Sequence, residues 1–89
     1  MSPKQTGKVM RVEIHSMAGT PQILENVTSF NILISDGGWL GILPGHAPLI
    51  AATAEGEASY TSNAEQKKLH INSGILSLAD NVVSILTTK

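Results

Sequence analysis

The chain has no cysteine, and aromatic residues make up only 3% of its 89 positions. Without cysteine there is no disulfide framework, no thiolate metal site and no cysteine nucleophile. Scarce aromatics leave Ile, Leu and Val to build the core. Charged residues are also sparse, at 15% against about 25% in an average soluble domain. This suggests that a partner covers part of the surface. Net charge is −1, and the longest basic run is Lys67-Lys68. A phosphate-tracking nucleic-acid surface needs a basic stripe, so nucleic acid is excluded as a partner. No apolar run approaches the length of about 20 residues that spans a bilayer. The polar segment Met1 to Lys8 lacks the apolar core of a signal peptide. Any meeting with a membrane is therefore expected to run through another protein. The match of Asn26-Val27-Thr28 to a glycosylation sequon is idle without secretion.

What is present is concentrated in one stretch, Gly37 to Ile50. It holds four of the eight glycines, two of the four prolines and the single tryptophan. Gly41 and Gly45 would each weaken a helix interior by roughly 1 kcal/mol relative to alanine. Pro44 lacks the amide donor and clashes with the preceding turn. The stretch reads as a turn, a short strand from Leu40 to Leu43, a second turn at Pro44-Gly45, and a further strand after Pro48.

The rest of the chain alternates with a period of two. Met10, Val12 and Ile14 share one face, opposite Arg11, Glu13 and His15. Strands are expected at Val9 to His15, Gln22 to Asn26, Phe30 to Ser35, Glu57 to Thr61, Lys67 to Asn72, Ile75 to Leu78 and Val82 to Leu86. Ser62 to Gln66 reads as a hairpin loop, and Asp80-Asn81 as a two-residue hairpin turn that tolerates positive φ. No window carries a capped 3.6-residue period. The expected fold is all-β, a flattened β-sandwich or barrel of about eight to ten short strands without C-terminal helices. Residues 1–8 form a flexible N-terminus and residues 9–89 the single domain.

Chemistry-bearing patterns are thin. The glycines at 37, 38, 41 and 45 lack the phosphate-loop spacing and its lysine. His15, His46 and His70 share no ligand spacing. There is no nucleophile elbow, and so small a sandwich leaves little room for a water-excluding cleft. Glu55 and Glu57 flank a turn glycine and are expected to face solvent. The reading is a non-enzyme without cofactor or metal. Trp39 is either packed over the end of the core or displayed to a partner as an interface anchor. From the residues alone, a stand-alone ligand- or peptide-binding sandwich is the alternative, although such modules display several aromatics.

Leu40-Gly41-Ile42-Leu43-Pro44-Gly45-His46-Ala47-Pro48-Leu49 resembles the L-G-I-[LY]-P-G-H-A-P-L signature of the ε subunit of F-type ATP synthases. His70 to Leu78 is similar to that family's x-[VI]-S-G-G-[FI]-L-E-V, and Asp80 to Leu86 to its P-x-x-V-T-V-L hairpin. The resemblance implies a β-sandwich rotor part at the foot of the central stalk, catalytically inert. Its expected partners are the γ subunit, the polar loops of the c-ring and, indirectly, the α/β catalytic hexamer. Association with the cytoplasmic face of a bacterial inner membrane would run only through that complex. The interface residues it implies are Trp39, Leu40, Pro44, Gly45, His46 and Pro48.

The chain departs from the family in several places. Glu55 replaces the usual proline before Gly56. Asn72-Ser73-Gly74 has one glycine where two are usual. Trp39 stands where many members carry an acidic residue touching the c-subunit loop, so an apolar or cation–π contact is the expected replacement. The family's C-terminal helical hairpin, which can restrain rotation and in some members binds ATP, has no counterpart within these residues. Both functions are therefore expected to be lacking.

Overall fold

In the computed structural model, residues 9–17 and 19–88 are described; the expected flexible N-terminus lies outside them. Eight strands and no helix are found among these residues. They are β1 (Met10–His15), β2 (Gln22–Leu33), β3 (Trp39–Ile42), β4 (Leu49–Thr53), β5 (Gly56–Ser62), β6 (Glu65–Ile71), β7 (Gly74–Ala79) and β8 (Val82–Thr87). The hydrogen-bonded order is β4-β7-β8-β1-β2-β5-β6, with β3 attached to β2. Neighbours are antiparallel except β1 and β8, which run parallel. A parallel pair cannot be closed by a hairpin, and here it joins the first strand to the last.

The expected strands Gln22 to Asn26 and Phe30 to Ser35 are one element, the 12-residue β2. Its first half pairs with β1, from Gln22 to Val27. Its second half pairs with β3 on one edge and β5 on the other. Strict alternation from Leu24 would turn Val27 outward. Instead Asn26 adopts a left-handed φ of 56°, and the register shifts between Val27 and Ser29. Such a bulge bends a strand and re-aims its side chains. As a result Leu24, Val27, Phe30 and Ile32 all reach the core. The bulge interrupts the period of two, which is why the sequence reads as two strands.

Beyond β2 the chain closes on β4. Ile34 bridges Thr53, the Ser35 amide donates to the Ala52 carbonyl at 3.0 Å, and the Ala54 amide donates to Leu33 at 3.0 Å. The path from β4 through β7, β8, β1 and β2 thus returns to its start, while β5 and β6 extend it. Phe30, Ile32, Ile42, Leu76, Ile85, Val12, Val27 and Val83 fill the interior. Each buried hydroxyl donates to a carbonyl: Thr53 to Gly74 at 3.1 Å, Ser62 to Glu25 at 2.7 Å and Thr87 to His15 at 3.4 Å. Pairing of this kind avoids the cost of about 1–3 kcal/mol for an orphaned buried polar group.

The expected turn at Asp80-Asn81 forms, and the expected Ser62 to Gln66 loop tightens to Asn63 and Ala64, with Ser62 paired to Glu65 and Thr61 to Gln66 in the strands. Asn63 and Ala64 have φ of 53° and 66°, and Asp80 and Asn81 have 51° and 64°, as a two-residue type I′ loop requires. Ala64 is the misfit, because a left-handed alanine costs roughly 1–2 kcal/mol. At the other end of the β7–β8 hairpin, a Cβ on Gly74 would overlap the Leu86 carbonyl and stand 2.8 Å from Thr87 Cα. Both neighbours are backbone and cannot yield as a side chain would.

Two stability changes follow. Gly74→Ala lowers the unfolding free energy by about 2–3 kcal/mol through overpacking. Ala64→Gly raises it by about 0.5 kcal/mol, the relieved strain being partly offset by the added freedom of the unfolded chain. Urea unfolding of the two variants beside the parent measures both signs.

Candidate functional site

The Gly37–Ile50 stretch folds as a short strand between two built turns. At one end, the Gly37 amide donates to the Ile34 carbonyl and the Ile34 amide to Gly38, each at 2.9 Å. The Asp36 carboxylate accepts the Gly38 amide at 2.8 Å. This is a three-residue hairpin loop closing β2 onto β3. Trp39 follows it directly, paired with Leu33 across the strands.

The other end is a type II turn over Leu43-Pro44-Gly45-His46. The His46 amide donates to the Leu43 carbonyl at 3.1 Å, and Gly45 has a φ of 89°. Proline presets φ at the first central position, and the second demands a positive φ. His46 Nδ1 lies 2.8 Å from the Ala47 carbonyl. Donation from Nδ1 there leaves Nε2 free at the surface.

These turns display some of the sequence-predicted residues and not others. Trp39 is 63% exposed, so it does not plug the core. Gly45, His46 and Pro48 are also exposed. Pro44 is half-buried. Leu40, expected at the interface, faces inward and packs against the core. The period of two accounts for this direction, since Leu40 shares its phase with Ile42. Nor do Trp39 and His46 form one cluster. Trp39 is the first residue of β3 and His46 lies past its last, and the four residues of the strand alone span about 10 Å at 3.3 Å per step.

The three histidines stay apart. His15 lies on β1, with Nε2 at 3.1 Å from Glu13, and His70 on β6, with Nε2 at 3.1 Å from Glu55. Among the described residues no group of three metal-ligating side chains converges. A polar hollow of about 350 Å³ lies beside His70, Asn72, Thr20 and Gln22.

One feature escaped the sequence reading. The outer face of β4, β7 and β8 carries Ile50, Ile75 and Leu86, exposed by 78%, 51% and 61%. Ile75 pairs directly with both Ala52 and Leu86. Ile75 and Leu86, with Met17, line a shallow groove of about 560 Å³, and Ile50 lies outside it. The signal was present as three apolar doublets, Leu49-Ile50, Ile75-Leu76 and Ile85-Leu86. In a strand, one member of each doublet must face out.

Beside this strip, β1 and β2 carry a charged cluster. Arg11 donates from Nε to Glu13 at 2.7 Å and from Nη1 to Glu25 at 2.8 Å. The ring of His15, and after it Arg11, holds the Glu13 carboxyl below its ordinary value, while Glu13 and then Glu25 raise the Arg11 guanidinium. Solvent surrounds the cluster, so its worth in stability is small.

The β-domain thus carries two exposed turns closed by backbone hydrogen bonds at the ends of one strand, and an exposed apolar strip on β4, β7 and β8. Residues 9–89 match the family described as the β-sandwich domain of the ATP synthase delta/epsilon chain. The chain belongs to this family. It is 38% identical over 64 residues to the ATP synthase epsilon chain of Desulfitobacterium hafniense, covering 72% of this chain and 48% of that one. To the epsilon chain of Acidithiobacillus ferridurans it is 31% identical over 77 residues, covering 86% and 55% respectively. The chain thus spans about half the length of these relatives. A cryo-EM structure of the Euglena gracilis mitochondrial ATP synthase, OSCP/F1/c-ring, contains a chain of the same fold. That match has a TM-score of 0.74 and 19% identity, covering 93% of this chain and 52% of the other.

The charged cluster makes one expectation concrete. A carboxylate with a lowered folded pKa contributes stability above its unfolded pKa and loses it as pH falls through the folded one. NMR titration should place the Glu13 midpoint below 4.5, the ordinary glutamate value. His15→Ala should move the midpoint upward.

Proposed function

We propose that this domain is a non-catalytic central-stalk part of an F-type ATP synthase, linking rotation of the γ subunit to the c-ring. The observation that carries the reading is the family's signature segment, folded as two rigid turns with Trp39 and His46 displayed. A coupling part must transmit torque without yielding, and both turns are closed by backbone hydrogen bonds of 2.9 to 3.1 Å.

The separation of the turns divides the contacts. Trp39 meets the polar loops of the c-ring, where a loop arginine or lysine can lie over the indole. Such a contact is worth about 0.5–2 kcal/mol, depending on how far it is desolvated. His46, beyond the opposite end of β3, meets γ, together with Gly45 and Pro48. The apolar strip through Ile50 continues that γ-facing surface. Catalysis stays on the α/β subunits, which the domain influences only through γ. Among the described residues no helix is long and apolar enough to cross a membrane. In this reading the complex holds the domain at the cytoplasmic face of a bacterial inner membrane.

Retention on immobilised γ–c-ring complex tests the proposal. Trp39→Ala should weaken binding roughly tenfold, equivalent to about 1.4 kcal/mol, and His46→Ala should weaken it severalfold. Circular dichroism should show both variants folded, because neither side chain enters the core. Retention of both variants at the parent level would sink the assignment of these turns to docking.

A further inference from the structure

The type II turn carrying His46 leaves one amide without a partner inside the turn, that of Gly45. It is not left to solvent. The Asn81 side-chain carbonyl accepts it at 2.7 Å, from 36 positions away. Asn81 is the second residue of the β7–β8 hairpin turn, with a φ of 64°, and its own backbone carbonyl accepts the Arg11 amide at 2.9 Å. One residue therefore joins the start of β1, the tip of the β7–β8 hairpin and the turn that displays His46. We infer that Asn81 is the positioning residue of this turn, holding the peptide between Pro44 and Gly45 in the orientation that presents His46.

Two requirements meet at position 81. The backbone must accept a left-handed φ, and a short side chain must place a carbonyl-type oxygen against Gly45. Glycine satisfies the first requirement alone. Aspartate satisfies both, since Asn and Asp tolerate this region and the carboxylate is also an acceptor. Alanine satisfies neither. Proline at position 44 restricts the turn's first central residue, but nothing within the turn holds the Gly45 amide. The restraint on that peptide therefore comes from outside the turn.

The consequence for docking rests on the proposed stalk function, whereas the tether itself does not. Three forms of the full chain separate the two: the parent, Asn81→Gly and Asn81→Asp. Hydrogen exchange read by ¹⁵N NMR should show the Gly45 amide exchanging at least tenfold faster in Asn81→Gly and returning toward the parent rate in Asn81→Asp. Trp39 emission should stay unchanged in all three, because Trp39 stands at the other end of β3 from this turn. Retention on the γ–c-ring complex should fall severalfold in Asn81→Gly, with melting within a few degrees of the parent, and recover in Asn81→Asp. Unchanged Gly45 exchange in Asn81→Gly overturns the tether. Faster exchange with parent-level retention overturns the positioning role. Faster exchange in a protein whose parent form does not bind the complex supports the tether and overturns the stalk assignment.

Discussion

A strand has two hydrogen-bonding edges, and β2 uses both along its second half while bending out of line with its first. On one edge it holds β1 and then β3, on the other β5, and past its end Ile34 reaches Thr53 of β4. Everything else is placed by reference to this one segment. The bend depends on Asn26 in a left-handed conformation, a region that asparagine enters at lower cost than most residues. Because the register shifts there, Val27 points into the same core as Leu24 and Phe30. A straight 12-residue strand would have turned Val27 to solvent.

The position of the two exposed turns is a consequence of that bend. β3 pairs only with the second half of β2, so its ends are fixed by turn chemistry and not by a second neighbour. At one end the carboxylate of Asp36 and a short hairpin loop set the direction in which Trp39 leaves. At the other, proline and glycine set the turn and Asn81 fastens it to the far side of the sheet. These are local devices acting through few bonds. They suit a domain too small to hold its loops under a large core.

The surface follows the same economy. Sparse charge in the composition corresponds to a defined place, the outer face of β4, β7 and β8, where Ile50, Ile75 and Leu86 stand in the open. One group of charges lies beside it on β1 and β2, where Arg11, Glu13, Glu25 and His15 are paired. An apolar strip bordered by paired charges is the usual make-up of a protein interface, dry in the centre and polar at the rim.

Much of this was legible in advance. Alternation placed Met10, Val12 and Ile14 of β1 on one face, the one that meets the core, because side-chain direction in a strand follows from position alone. Asp80-Asn81 announced its hairpin and Pro44-Gly45 its turn, because φ preference is a property of the residue. Such features belong to the local chain, and the sequence by itself determined them. It could not decide that Gln22 to Leu33 is one bent strand, that β1 pairs in parallel with β8, or that Leu40 packs inward while Trp39 stands out. Nor could it show that Asn81 reaches Gly45. Each of these depends on which distant segments share a hydrogen bond or a face, and only the closed sheet brings those segments together.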